Sequence, residues 1–238
     1  MPIAYIKSID AIICTDLHLG YEGVMSKNGV LLPKANLKSI ESMIDSAIAS
    51  TGASRLIVDG DIKNEFSGVD TEEFNELYDF VNFISEKRVS LTLIKGNHDN
   101  FVERYKNTFG FQVHRQQHEY GNYLFIHGEE MPKPFGPQIK MLIMGHEHPA
   151  ITIYTDAGKA EKVRCFLLGS YGHLPLLVLP AMSYYSPGTP INITPKSELL
   201  APVLQHADID SMEAIAIGYG STLRFGKIGE LRRLAESK

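Results

Sequence analysis

The chain has 238 residues, a length at which about three quarters of the unfolded surface can be buried in one domain. Hydrophobic residues make up 44% and charged residues 21%, which excludes a disordered or fibrous polymer. The net charge of -5 excludes a broad basic face for nucleic acid or anionic membrane, so any affinity for phosphate must be local.

In chain order, residues 11–16 read as a buried strand. A helix follows, with Leu37, Ile40, Ile44, Ala47 and Ile48 at helical spacing and Gly52 as its stop. Residues 56–60 form a second strand. The next helix runs over residues 71–85, with Asp70 and Glu73 as a capping-box-like pair and an apolar stripe of Phe74, Leu77, Tyr78, Val81 and Ile84. Residues 91–96 give a third strand. Beyond Phe109 the rhythm changes to closely spaced strands over 123–127, 141–146, 151–155, 163–168 and 176–179. Residues 182–202, rich in Pro, Ser and Thr, read as a surface wrap, and a short helix closes the chain over 229–236. No repeat or linker interrupts this pattern, so we expect one domain over residues 1–238. Cys14 and Cys165 read as two buried thiols of a reducing compartment. The longest apolar stretch, 174–182, is too short to span a bilayer and holds two prolines, which points to a cytoplasmic protein.

Residues able to bind metal collect where the strands end. Asp16 and His18 follow the first strand, and their spacing puts both side chains on one side if the backbone stays extended. Asp61 follows Gly60, and Asn97, His98 and Asp99 follow Gly96. His127 closes the strand from Tyr123, and His146 and His148 close the strand from Met141. Ligands at the carboxyl ends of adjacent strands converge on one rim. Mixed imidazole, carboxylate and amide donors suit Mn, Fe or Zn better than Ca or Cu(I). Two ions about 3.5–4 Å apart sharing one carboxylate would use seven of these donors and leave one histidine spare. Each word alone has a bland reading, an accidental Asp-Leu-His or a surface Gly-His-Glu-His turn. Chance does not readily supply all of them in order, each just after an apolar run.

Together these words resemble the calcineurin-like metallophosphoesterases, whose pattern spans Asp16 to His148 here. The fuller wording Asp16-Leu17-His18-Leu19-Gly20-Tyr21-Glu22, with Gly60-Asp61-Ile62-Lys63 and Leu179-Pro180-Ala181, is similar to the SbcD-related and DNA-ligase-associated branch. The resemblance implies a four-layer αββα sandwich, two mixed β-sheets flanked by helices. It implies that Asp16, His18 and His148 hold one divalent ion, that Asn97, His127 and His146 hold the other, and that Asp61 bridges them. Mn(II) is the expected ion, with Fe, Zn, Ni or Mg as alternatives. His98 would protonate the leaving oxygen of a phosphodiester and Asp99 would orient its ring, while a water shared by the ions supplies the attacking hydroxide.

Departures from the family narrow the substrate. Asn64 stands where nuclease relatives commonly carry His and purple acid phosphatases carry Tyr, which puts a processive exonuclease and an Fe(III) phenolate site in doubt. No Arg lies between Asp61 and Asn75, so the phosphomonoester clamp of the protein phosphatases is not evident. Glu129 and Glu130 would make the rim negative, or are simply solvated acids. Arg224, Lys227, Arg232 and Arg233 form a basic tail that reads as a solvated helix face, and His114, His118, His173 and His206 read as structural. The expected activity is hydrolysis of a phosphodiester in a small nucleotide or nucleic-acid end. The alternatives are a non-catalytic scaffold of the same fold, against which the presence of His98 counts, and a nuclease served by a helicase or ligase partner. The sequence does not reveal the oligomeric state.

Overall fold

Alternation along the first parallel strands decides which layer each side chain enters. In the computed structural model, which describes residues 1–65, 71–154, 159–218 and 220–236, β1 (Ala4–Ile6) pairs antiparallel with β2 (Ala11–Cys14). After α1 (Tyr21–Lys27) and α2 (Asn36–Thr51) come β3 (Arg55–Asp59), α3 (Thr71–Glu86), β4 (Ser90–Ile94), α4 (Lys106–Phe109) and β5 (Gln112–His114). These strands form a five-stranded sheet in the order β1-β2-β3-β4-β5, with β2 to β5 parallel. Ile12, Cys14, Leu56, Val58, Leu91 and Leu93 point to one side, where they pack against Ile40 and Ile44 of α2 and Leu77, Phe80 and Ile84 of α3. Ala11, Ile13, Ile57 and Ile94 point to the other, toward Phe125, Ile143 and Phe166 of the second sheet.

That second sheet holds β6 (Gln117–Tyr120), β7 (Tyr123–Ile126), β8 (Met141–Met144), β9 (Pro149–Tyr154), β10 (Ala160–Tyr171), β11 (Leu174–Val178) and β12 (Thr189–Pro190) in the order β12-β9-β10-β11-β8-β7-β6. After α5 (Pro202–His206), β13 (Glu213–Ile217) adds to it through β10 and carries β14 (Thr222–Lys227). Its outer face packs Leu142, Met144, Cys165 and Leu167 against Val203 and Leu204 of α5 and Ile228 of α6 (Ile228–Glu236). The result is a sandwich of two mixed sheets flanked by helices, as expected. Both cysteines are free and buried. Among the described residues, no helix is long and apolar enough to cross a membrane.

Several local expectations need correction. β10 runs from Ala160 to Tyr171, longer than the run 163–168, because its ends pair with β9 and β11 beyond the apolar centre. Residues 182–202 do not simply wrap the surface: Met182, Ser183, Ile191 and Asn192 are buried, and backbone bonds from Met182 N to Thr15 O and Ser183 N to Asp16 O lock the segment onto the rim. Leu176, Val178 and Leu179 are core. In α3, Phe80 is buried whereas Tyr78 is exposed, so the stripe turns slightly from the one expected. Asp70 of the expected capping box, like Thr155 of the expected strand 151–155, lies outside the described residues, and the Glu73 carboxylate reaches the amides of Asn64 and Glu65. Gly52 ends α2 as expected, at φ 68° with its N–H on Ile48 O.

Candidate metal centre

The seven expected ligands and His98 all lie on loops that leave the carboxyl ends of β2, β3, β4, β7 and β8. Asp16 and His18 do share one side, but not by staying extended. Both are left-handed, at φ 55° and 47°, as are Asp61 at 50°, His146 at 66° and His148 at 51°. Such backbone costs roughly 1–2 kcal/mol per non-glycine residue. It persists because the turns are held from outside: Asp16 N bonds Gly60 O, His18 N bonds Asp61 O, and Thr189 N bonds His148 O.

Glycines set the approach distances. A Cβ on Gly60 would stand 2.0 Å from His127 Nδ1, and one on Gly96 would stand 2.2 Å from Asp61 Oδ1. One on Gly145 would stand 1.9 Å from Thr15 Oγ1. The glycines before Asp61, Asn97 and His146 therefore let one ligand loop lie against the next.

Three clusters result, each with donor atoms within 4.8 Å of one another: Asp16, His18 and His148; His18, Asp61 and His98; and Asp61, His127 and His146. Asp61 belongs to two of them. Its Oδ1 accepts His98 N at 2.9 Å and its Oδ2 lies 3.1 Å from His127 Nε2. Asp16 Oδ2 accepts Thr15 Oγ1 at 2.9 Å and His146 N at 3.1 Å, which leaves Oδ1 facing His148 Nε2 at 3.1 Å. His146 Nδ1 lies 3.3 Å from His127 Nε2. The His18 ring lies 4.9 Å from that of His98 and 5.3 Å from that of His148.

The donor set fits cations. His18 Nδ1 and Asn97 Oδ1 are buried with no hydrogen-bond partner, a costly arrangement unless another electrophile takes their lone pairs. Ring orientation is also fixed from behind. His127 Nδ1–H donates to Asp59 O at 2.8 Å, which leaves Nε2 of that ring to offer a lone pair, and Ser186 Oγ lies 2.7 Å from His148 Nδ1. Asp16, His18, Asp61, Asn97, His127, His146 and His148 could hold the metal.

Electrostatics follow from packing carboxylates and imidazoles together in the dry. Burial pushes the Asp16 and Asp61 carboxyls up, but the imidazoles of His148 and His127 outweigh it and hold both below the usual carboxylate range. Burial pulls His127 down, yet Asp61 and Asp16 drive it well above the usual imidazole value, and Asp16 raises His148 in the same way. Burial dominates at His18 and His146, which fall to about 4.

Asp99 differs from the role expected of it. It is fully buried, its Oδ1 accepts Lys63 N at 3.3 Å and its Oδ2 accepts Gly96 N at 2.9 Å, so it braces the two loops and does not orient the His98 ring. Burial and the Asp61 carboxylate raise it to about 7. The His98 ring instead donates Nδ1–H to the backbone carbonyl of Asn64.

Sequence reasoning missed Ser186, Thr15 and Asn36. Asn36, fully buried, donates to Leu17 O and His18 O and accepts Tyr184 N, joining the Asp16–His18 turn to the segment that carries Ser186. None of the three stands in a ligand word, and only the fold brings them near. Glu129 is half-buried beside His127, whereas Glu130 is exposed and bonds Gln116. Arg224 pairs with Glu213, and Arg232 with Asp210 and two carbonyls, so these two residues of the basic tail are engaged within the chain.

Left-handed ligand turns at the ends of parallel strands, with one carboxylate common to two donor clusters, define a metallophosphoesterase. The sequence model of the calcineurin-like phosphoesterase family matches residues 10–133, and the chain belongs to that family. Among solved structures, the chain is similar to the nuclease MPE of Pseudomonas putida. The two are 18% identical, the match covers 90% of this chain and 88% of that one, and the TM-score is 0.62. It also matches YfcE, a phosphoesterase from E. coli, at 16% identity over 90% of this chain and 96% of that one, with a TM-score of 0.45. No curated protein sequence matches the chain.

Proposed function

We propose that the chain hydrolyses phosphodiesters, of a small nucleotide or a nucleic-acid end, with two divalent cations of which Mn(II) is the first to test. The observation that carries this reading is the position of Asp61, whose carboxylate shares one donor cluster with His18 and His98 and another with His127 and His146. Asp16, His18 and His148 would hold one ion, Asn97, His127 and His146 the other, and Asp61 both. When bound, such ions neutralise charge on the phosphoryl oxygens and lower the pKa of water near neutrality.

The rest is done by the chain itself. Asp59 O holds His127 in the tautomer whose Nε2 can donate its lone pair, and Ser186 lies against Nδ1 of His148. His98 Nε2 stands 3.8 Å from Asp61 Oδ2, beside the shared carboxylate, with Nδ1–H committed to Asn64 O. A protonated Nε2 there can hand its proton to an alkoxide leaving the phosphorus. The fold shared with nuclease MPE is compatible with a nucleic-acid end as substrate, and a half-buried Glu129 beside His127 favours short anions over long ones. Hydrolysis of bis-(p-nitrophenyl) phosphate with Mn(II), coupled to metal counting per chain, tests the reading. A fully folded protein that takes up two ions and hydrolyses neither this ester nor a dinucleotide would refute it and favour a scaffold.

A further inference from the structure

The orientation of His98 leads back to a buried ion pair between the loop after Asp61 and helix α3. Lys63 and Glu73 are each only 1% exposed, with Lys63 Nζ 3.7 Å from Glu73 Oε2. The other oxygen of Glu73, Oε1, accepts Asn64 N at 2.9 Å and Glu65 N at 2.7 Å. The second of these bonds matters most. Glu65 N–H and Asn64 C=O belong to one peptide group, and that carbonyl oxygen receives Nδ1–H of His98. A carboxylate on the N–H side of an amide draws electron density toward its carbonyl oxygen, which strengthens the bond the oxygen accepts.

We infer that Glu73 is the positioning residue for His98, acting through the Asn64–Glu65 peptide in a carboxylate–peptide–imidazole relay. It does the work that the sequence suggested for Asp99, whose carboxylate is taken up by Lys63 N and Gly96 N. Lys63 Nζ, enclosed beside Glu73, also bonds Glu65 O, which clamps the same turn. Close packing fixes the geometry: a Cβ on Gly20 would stand 2.6 Å from Glu73 Cβ, and the neighbouring Glu76 accepts Gly20 N at 2.8 Å. Helix α3 thereby grips both the turn after His18 and the turn that carries Asn64. The relay commits Nδ1–H of His98 to the carbonyl and leaves Nε2 to carry the proton for the leaving group.

This inference rests on the proposed phosphodiesterase reading, and leaving-group dependence separates the two. Glu73→Gln keeps an acceptor for both amides and removes the charge. With the metal-loaded protein, the variant should lose about ten-fold or more in kcat on a dinucleotide, whose alkoxide needs a proton, within the ~10²–10⁴-fold that a general acid supplies. It should lose little on bis-(p-nitrophenyl) phosphate, whose phenolate leaves unaided, and its metal content should be unchanged. Added to His98→Ala, the substitution should cost nothing more. Equal losses on both esters, or full additivity with His98→Ala, would overturn the relay. Inactivity of the wild-type protein on both esters would instead remove the phosphodiesterase reading. Long-range 1H–15N spectra of the wild-type protein need no variant to fold. They should show His98 with its proton on Nδ1, and a neutral ring protonated only on Nε2 would overturn the relay by itself.

Discussion

Replacing Gly60 by alanine tests how far the site depends on close approach of one ligand loop to another. Gly60 sits at φ 90°, and the added methyl would stand 2.0 Å from Nδ1 and 2.3 Å from Cγ of His127. Left-handed backbone costs a non-glycine residue about 1–2 kcal/mol and overpacking a rigid neighbour adds about 1–3, so the expected loss is about 2–5 kcal/mol. At 2–4 °C per kcal/mol for a domain of this size, the melting temperature should fall by about 10 °C. The control is Gly52→Ala, at φ 68° with nothing within 4 Å of the added methyl, where the backbone cost stands alone and a fall of about 5 °C is expected. The two variants should also differ in metal content. In Gly60→Ala the His127 ring must swing off Asp59 O and away from Asp61, emptying the cluster of Asp61, His127 and His146, while Asp16, His18 and His148 stay in place. Calorimetric melting and metal analysis after dialysis against Mn(II) read both effects. If Gly60→Ala melts with Gly52→Ala and carries as much metal as wild type, the steric account of the glycine words is wrong.

Three further outcomes follow from the same geometry. Asp61→Ala should weaken every metal the chain binds, whereas His98→Ala should keep the metal and lose ~10²–10⁴-fold in turnover, so metal analysis beside kinetics separates a shared ligand from a proton donor. Ser186→Ala removes the group 2.7 Å from His148 Nδ1 and should lower metal affinity about 10–100-fold, read by competition with a chelating dye; unchanged affinity would make that contact incidental. The metal-free chain should also show a distinct pH profile. His127 and His148 lie above the imidazole value of 6.5, so their contribution to stability is fully present below pH 6.5 and is lost as pH rises through the raised values. Asp16 and Asp61 lie below 3.8, so theirs is present above that pH and is lost as pH falls through the depressed values. Mn(II) binding at pH 7 must then expel roughly one to two protons, measurable by calorimetry in buffers of different ionisation enthalpy, and an uptake that releases none would contradict these shifts.

Much of this protein could be read along the chain because strand periodicity and strand-end chemistry are local. Residues 11–16, 56–60 and 91–96 announced themselves as buried runs, and a glycine or a polar residue marked each exit, so the sandwich and the rim where Asp16, Asp61 and Asn97 gather could be inferred before any coordinate. Short elements with mixed burial, such as β1, β6 and β14, have no such signature and appear only once neighbouring strands pair with them. Other features lay beyond sequence because they join residues far apart through backbone atoms. No pattern of side chains reveals that the carbonyl of Asn64, rather than Asp99, holds His98, or that Glu73 faces Lys63 inside the core. Nor does spacing reveal that Asp16 and His18 converge through left-handed turns, a conformation that pays only when loops from several strands brace it. The identity of the ligands is thus written in the chain, while their orientation is decided by tertiary contacts, because hydrogen bonds to peptide groups depend on where the backbone passes and not on which residue it carries.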